Sequence, residues 1–334
     1  METVTLANSD ITCSRIALGT WAIGGWMWGG NDSQDSMRTV QEAVEMGITA
    51  IDTAPVYGFG ESERRVGDAL HQERLRNRVT LATKCALNWD DDDHDKGPYR
   101  DASRKRIVQE AEDSLRRLRT DVIDLYQIHW PDPTRPVEEA AEVMLELQRA
   151  GKIRAVGVSN FDAEQIRAFH SVCPLSTVQP PYNLFERQME NTLLPVFKEL
   201  GVSTLTYGAL CRGLLSGKMR EHSRFEGDDL RNNDPKFQPP RYTQYLDAVQ
   251  QLDALARERY GKRVLHLALR WLLDQPGASV ALWGARRPEQ IQPVTDVMGW
   301  HLNDRDKRDI DTILADTISD PVGPEFMAPP TRES

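Results

Sequence analysis

Cysteine is scarce in this chain, and the four that occur, Cys13, Cys85, Cys173 and Cys211, are widely scattered. They match neither a disulfide framework nor the close spacing of zinc ligands, which fits a reducing cytoplasm and predicts no metal site. No apolar run approaches the roughly 20 residues that a membrane helix needs. The polar start METVTLANSDITCSRI lacks the apolar stretch of a signal peptide. An excess of cations is missing too: 51 Asp+Glu outnumber 41 Lys+Arg, for a net charge of −10. That balance argues against a nucleic-acid partner but leaves room for an anionic ligand at a local basic site. No Pro/Ser-rich linker divides the chain and no internal repeat is visible. The expectation is one domain over residues 1–334, with an irregular tail over about 318–334.

What the chain does have is apolar residues for a substantial core, 40%, and charged residues to cover it, 28%. SRIALGTW, ITAIDTA, RVTLATKC, DVIDLYQIHW, IRAVGVSN, LSTVQPPYN, GVSTLTYGAL and ASVALWGA read as strands. Between them DSMRTVQEAVEMG, ESERRVGDALHQ, SRKRIVQEAEDSLRRLR, VEEAAEVMLELQRAG, DAEQIRAFHS and MENTLLPVFKELG read as helices. YLDAVQQLDALARERYG and VLHLALRWLLDQ form a helical pair before the last strand, and RPEQIQ and NDRDKRDIDTILAD follow it. Strict strand-then-helix alternation predicts parallel strands with right-handed crossovers. About eight such pairs predict an α/β fold, one (β/α)8 TIM barrel. A doubly wound sheet is the competing architecture. It usually carries a Gly-x-Gly-x-x-Gly turn after the first strand, and ALGTWAIGGWMWGG gives no clean match. DDLRNNDPKFQPP, at 228–240, reads as a loop insertion.

In such a barrel, chemistry sits where strands end at the C-terminal face. The second strand ends in Asp52, with Tyr57 in the turn beyond; the third ends in Lys84 and the fourth in His129. The fifth ends in Ser159 and Asn160, the sixth in Gln179, the seventh in Tyr207, and the eighth runs into Gly284 and Arg286. A Tyr hydroxyl has an ordinary pKa of about 10, too high for efficient proton exchange near neutrality. Lys84 is placed to lower it, and Asp52 to serve as counter-ion to Lys84. His129 can hydrogen-bond a carbonyl oxygen and turn it toward Tyr57. Such a site gives a proton to a carbonyl oxygen. Since no side chain donates hydride, a reduced nicotinamide is implied.

IDTAPVYGFGESE, TLATKC, IDLYQIHWPD, AVGVSNF, VQPPYNLFER, TYGALCRGLLSGK and WGARRPEQI together resemble the aldo-keto reductase family. The motifs stand in the family's order, and the resemblance covers about residues 3–300. Within the family the chain is most similar to bacterial glycerol dehydrogenase and short-aldehyde reductase types. The resemblance implies a (β/α)8 barrel with an N-terminal β-hairpin and extra helices near the C-terminus. It implies a cytoplasmic enzyme that reduces aldehydes and ketones to alcohols, or the reverse, on small molecules such as glyceraldehyde. Asp52, Tyr57, Lys84 and His129 match the family's catalytic tetrad, with Tyr57 the proton donor. Ser159, Asn160 and Gln179 match the residues that hold the nicotinamide carboxamide, and Tyr207 the ring that stacks on it. Gly208, Leu210, Arg212 and Gly213 match the loop over the pyrophosphate, and Lys218 adds a cation nearby. Gly284, Arg286 and Gln290 match the adenosine end, while Thr20 and Trp21 match positions after the first strand. Val294, preceded by Pro293, stands where the family often has Asn, so the helix after Gln290 is expected to be short. Adjacent Arg286 and Arg287 favour a 2′-phosphate and hence NADPH, with NADH tolerated.

Plainer readings exist for several of these residues. Asp52 alone would read as a turn cap, and Ser159–Asn160 as the N-cap of the helix at 162. The acidic run Asp90–Asp95 with His94 reads as a solvated loop rather than a metal site. Cys85, one residue past Lys84, should face away from it into helix packing. Trp21 and Trp130 are candidates for a substrate wall, together with Tyr57 and His129. Two other functions fit the same fold: a cofactor-binding regulatory subunit resembling potassium-channel β-subunits, and an aldolase forming a Schiff base on Lys84.

Overall fold

The computed structural model describes residues 1–331. Eight parallel strands close into a barrel in chain order: Ile16–Gly19, Ala50–Asp52, Thr80–Cys85, Ile123–Ile128, Ile153–Ser159, Thr177–Gln179, Ser203–Thr206 and Val280–Gly284. The eighth pairs with the first, Gly284 opposite Gly19, so no sheet edge is left open. This is the (β/α)8 barrel that the alternation predicts.

Side chains along each strand alternate between two apolar layers. Ala17, Ala50, Ala82 and Ala155 join Leu125, Leu205, Val280 and Leu282 in an inner cluster. Ile16, Leu18, Ile51, Leu81 and Val156 join the larger cluster shared with the helices. Small residues recur inside because a closed eight-stranded barrel has little interior volume. A hairpin, Thr3–Thr5 with Thr12–Ser14, adds Leu6, Ile11 and Cys13 to the inner cluster. It plugs the floor of the barrel, opposite the strand ends that carry the polar residues.

Several helices match their sequence signals closely: Glu61–Gln72, Arg104–Leu118 and Val137–Arg149. The helix Ala163–Val172 is capped by Asp162, whose carboxylate accepts from Glu164 N and Gln165 N. Ser159 and Asn160 therefore do not cap this helix, contrary to their plainer reading. The single helix expected over MENTLLPVFKELG is two, Met189–Thr192 and Leu194–Leu200, because Pro195 cannot donate within a continuous turn. Pro288–Ile291 passes into a 3-10 turn over Gln292–Val297, as Pro293 predicts. A small hairpin, Leu87–Asn88 with Tyr99–Arg100, brackets the acidic loop and has no clear periodicity in sequence. The tail is irregular apart from a short turn at Glu325–Met327, but it is anchored: Arg100 N donates to Pro330 O. Residues 332–334 of the expected tail lie outside the described residues.

Gly67 lies within the helix Glu61–Gln72 and is buried against the end of Arg104–Leu118. A Cβ there would stand 2.5 Å from the Arg117 carbonyl oxygen. Helix propensity alone favours Ala by about 1 kcal/mol. Here the backbone contact reverses that sign, so Gly67→Ala should destabilise the fold by about 1–3 kcal/mol in urea unfolding. A variant as stable as the parent would show that the two helices can part without cost.

Candidate active site

At the base of a cleft over the strand ends, Lys84 Nζ lies 2.5 Å from Asp52 Oδ2 and 3.0 Å from Thr53 O. Both side chains are closed to solvent. The second Asp52 oxygen accepts from Gln127 Nε2 at 3.1 Å and Gln179 Nε2 at 3.0 Å. Tyr57 OH is 3.4 Å from Lys84 Nζ. All three Lys84 protons thus have acceptors, and the phenol hydrogen remains for an incoming group. Tyr57 packs against His129, edge to face at 5.7 Å, and stacks on Trp21 at 5.8 Å.

Tyr57 occupies a turn rather than a strand, so its position depends on neighbouring backbone. A Cβ on Gly24 would overlap the Tyr57 backbone, and one on Gly58 would overlap the Gly24 carbonyl. Gly58 also has φ +67°, which favours glycine. The first and second strand-end loops therefore meet backbone to backbone beneath the phenol.

The electrostatics differ from expectation at one point. Burial, reinforced by the Asp52 carboxylate, holds the Tyr57 phenol well above its ordinary pKa. The expected lowering by Lys84 is absent, because Asp52 neutralises the ammonium at 2.5 Å. Burial likewise lowers Lys84, while Asp52 opposes that fall. Burial, with the Lys84 charge second, holds His129 well below the usual imidazole value. The site at neutral pH thus presents a protonated phenol and a neutral imidazole, both able to donate.

Of the candidate catalytic, cofactor and substrate residues, all but Lys84, beneath the floor, and Arg287 line the same cleft of about 400 Å³. Gln179 spends its amide nitrogen on Asp52 and on Gln127, and its Oε1 takes no hydrogen bond among the described residues. Asn160, at φ +61°, donates to His129 O and Ser159 Oγ and accepts from Tyr207 OH at 2.8 Å. These bonds fix the Tyr207 ring at the cleft wall. Thr20 is buried, its hydroxyl bound to Asp52 O, so only its backbone and its place in the wall matter to a ligand.

Further along, Cys211, Arg212 and Gly213 all have positive φ, winding their loop tightly beside the cleft. The Arg212 side chain lines the cleft. Its guanidinium is ion-paired with buried Glu186 and Asp234, which ties the loop to the structure beneath it. At the eighth strand, Arg286 Nη1 donates to Trp28 O at 2.7 Å and Gly30 O at 2.6 Å, leaving Nε and Nη2 without acceptors among the described residues. Gln290 Oε1 accepts from the backbone of Arg286 and Arg287, which leaves its amide nitrogen. A dinucleotide fits this cleft: a free amide oxygen at one end, a glycine loop in the middle and cations at the other. Trp28 Nε1 in its wall is buried without a partner among the described residues, a further donor for an acceptor in the cleft.

Sequence reasoning missed Gln127, whose strand position gave no cue beyond alternation. It missed Arg231 and Trp28, which reach the cleft from loops. It also missed Met327 and Pro329, brought to the cleft by the anchored tail. Trp130, like Trp26 and Trp89, packs against a small cluster of Ala54, Val56 and Leu87, and Arg100 lies 5.1 Å over its ring. In the acidic loop, Lys96 pairs with Asp90 and Asp93, and His94 stacks on Phe59 at 3.9 Å. Cys85 sits in the outer cluster among the helices, as its parity predicts.

A barrel whose floor holds a phenol over a lysine–aspartate pair, with a dinucleotide-shaped cleft above, defines a carbonyl-reducing oxidoreductase. The aldo/keto reductase family model matches residues 15–315. The aldo-keto reductase YhdN of Bacillus subtilis is 61% identical, covering 100% of this chain and 99% of that protein. An NADH-specific methylglyoxal reductase of Escherichia coli is 37% identical, covering 92% and 96%. The structure of the glycerol dehydrogenase AKR11B4 from Gluconobacter oxydans superposes with a TM-score of 0.88 at 51% identity, covering 98% and 99%. The chain belongs to the aldo/keto reductase family. Its members use nicotinamide cofactors. Among the described residues, no helix is long and apolar enough to cross a membrane.

Lys84→Met keeps an unbranched chain but strands a buried carboxylate. Breaking a buried pair in this way costs about 3–5 kcal/mol, so both stability and turnover should fall. Lys84→Arg should not restore turnover, since a planar guanidinium cannot serve Asp52, Thr53 O and the phenol from one point. Calorimetric unfolding and steady-state rates check both; a fully active Arg variant would show that charge alone suffices.

Proposed function

We propose that this protein reduces short aldehydes and ketones, hydroxyaldehydes such as glyceraldehyde among them, and oxidises the corresponding alcohols, with NADPH favoured over NADH. The observation that carries the reading is the phenol of Tyr57 at the cleft floor, 3.4 Å from Lys84 Nζ and beside a neutral His129. When bound, a reduced nicotinamide supplies the hydride. Tyr57 gives its proton to the carbonyl oxygen, and His129 donates a hydrogen bond that orients that oxygen. Lys84, itself held by Asp52, stabilises the phenolate left behind. Ser159, Asn160 and Gln179 would hold the carboxamide, Tyr207 the nicotinamide face, and the Gly208–Gly213 backbone with Lys218 the pyrophosphate. Gly284, Arg286 and Gln290 would take the adenosine end, and Trp21 and Trp130 would wall the substrate.

The aldolase alternative loses support from the same geometry. Lys84 Nζ does not line the cleft, and its three protons are already bonded. A regulatory subunit would not need a protonated phenol poised over an ion pair. The first test is cofactor oxidation followed by absorbance with short hydroxyaldehydes, aromatic aldehydes and sugars. No turnover with any of them would sink the reductase reading.

Tyr57→Phe should lower turnover by roughly 100-fold or more, the usual scale of general acid–base help, and leave cofactor affinity nearly unchanged. For the parent, kcat/KM for reduction should stay level through neutral pH. The raised phenol pKa keeps the donor protonated there, and the lowered His129 pKa keeps the imidazole neutral. Oxidation should instead speed up as pH rises, since the phenol must then accept a proton. An imidazole-like inflection near pH ~6.5 in the reduction profile would contradict this assignment.

Cofactor choice supplies a separate test. Arg286 holds its place through two backbone carbonyls and keeps two donors free, a fork suited to the adenosine 2′-phosphate. Arg286→Ala should weaken NADPH by roughly 10- to 100-fold, the span of a charge-assisted contact, and scarcely change NADH. Arg287 is the second candidate. Unchanged NADPH/NADH ratios in both single variants would remove the basis of the NADPH preference.

A further inference from the structure

Two residues of the helix Arg104–Leu118 reach the loop after the third barrel strand, and the reading above uses neither. Glu110 is buried. Its Oε2 accepts from Ala86 N at 2.7 Å, and its Oε1 from Arg106 Nη2 at 2.9 Å. Arg106, one helical turn earlier, also donates to Leu87 O, from Nη2 at 2.9 Å and from Nε at 3.2 Å. Its guanidinium carbon lies 4.6 Å from the centre of the Trp89 ring. One helix thus takes hold of the loop at Ala86, Leu87 and Trp89.

The loop does not keep this shape by itself. Ala86 has φ +73°, a conformation that a residue with a Cβ holds only where its surroundings impose it. From the other side, Asp101 N donates to Ala86 O. Stability does not account for the clamp. Burial pushes the Glu110 carboxyl up to about 8 against the pull of Arg106, and nearby Glu63 adds to the rise. A buried pair whose carboxylate is disfavoured even beside its partner adds little to the fold. What it secures is the path of the loop.

That path sets Leu87. The side chain is buried, lines the cleft and clusters with Ala54 and Val56, and Tyr57 and Trp130 pack against this group. Leu87 therefore belongs to the wall on the proton donor's side, where the carbon chain of a carbonyl held by Tyr57 and His129 has to fit. Neither Arg106 nor Glu110 is among the described residues that line the cleft.

We propose that Arg106 and Glu110 are positioning residues for substrate selection. Acting through the Ala86–Leu87 backbone, they fix how much room the substrate's carbon chain finds beside Tyr57. This rests on the reading of the cleft floor as a carbonyl-reducing site.

Steady-state reduction of propanal and of benzaldehyde by the parent and by variants tests this. Arg106→Met keeps the stem and removes the grip on Leu87 O, and Glu110 then takes up a proton, as its raised pKa allows. The ratio of kcat/KM for the two aldehydes should shift by roughly 10-fold, the worth of about one methylene of pocket contact. The change should fall on KM, with kcat and NADPH affinity kept. Leu87→Ala should shift the ratio the same way. Combining it with Arg106→Met should shift the ratio no further, because two residues acting through one contact are not additive. If Arg106→Met lowers thermal stability, Arg106→Met with Glu110→Gln removes both charges and should give the same shift. An unchanged ratio in both Arg106 variants overturns the proposal. Shifts that add to that of Leu87→Ala overturn it too, by placing the action of Arg106 elsewhere. So does an equal loss with both aldehydes, which marks a purely structural role. A parent protein that reduces neither aldehyde brings down the reductase reading and this proposal with it, a result told apart because it needs no variant.

Discussion

An ammonium and a carboxylate buried side by side are tolerated only when their remaining protons and lone pairs are used. The Lys84–Asp52 pair meets that condition by drawing on much of the barrel. Asp52 ends the second strand, Lys84 lies in the third, Gln127 in the fourth and Gln179 ends the sixth. Both Asp52 oxygens and all three Lys84 protons are engaged within this group. Each strand must therefore end at the same height, which the closed parallel register supplies. Tyr57 is the member of the network whose hydroxyl proton is left for a group in the cleft. Burial of the phenol, reinforced by the Asp52 carboxylate, leaves the proton on the tyrosine at neutral pH, which is the state a proton donor needs.

The fold was legible because its signals are repeated. One strand–helix unit with apolar alternation is ambiguous, but eight in succession admit few closures. The strand-end residues were legible for the same reason: Asp52, Lys84, Ser159 and Gln179 stand at the ends of strands that the pattern located. Arg212 shows the limit. Sequence put a cation in the right loop, but it could not reveal that Glu186 and Asp234 would claim the guanidinium. Glu186 and Asp234 stand 26 and 22 residues from it, and no periodicity links them. Arg231 is the converse case. Its loop reads as an insertion, and only the fold brings it beside Gly213. The depression expected of the Tyr57 pKa failed on similar grounds, since the size of the Lys84 field depends on how closely Asp52 approaches.

Breaks in regular structure were legible where proline set them and obscure where packing did. Pro195 divides one expected helix and Pro293 shortens another, each by removing a backbone donor. The hairpin Leu87–Asn88 with Tyr99–Arg100 has strands too short to carry a pattern. Its job is nevertheless considerable. Arg100 fastens the tail through Pro329 O and Pro330 O and lies over Trp130, so residues near the end of the chain come to line the cleft.

The loop from Trp21 to Gly30 joins the two ends of the site mechanically. At one end Gly24 abuts the backbone of Tyr57, and Trp21 stacks on the phenol ring. At the other, Asp228 accepts from Met27 N and Gly29 N, and Arg286 grips the carbonyls of Trp28 and Gly30. Trp28 bridges the halves, edge-on to Trp21 and near the Arg231 guanidinium. The loop contains four glycines, at 24, 25, 29 and 30, and meets a fifth, Gly58, across the seam, so it has little intrinsic order of its own. Its shape is imposed by contacts from both sides. Arg286, proposed to bind phosphate, therefore holds the same segment that positions the proton donor. The barrel supplies the fixed heights of the strand ends, and this one loop supplies the coupling between them.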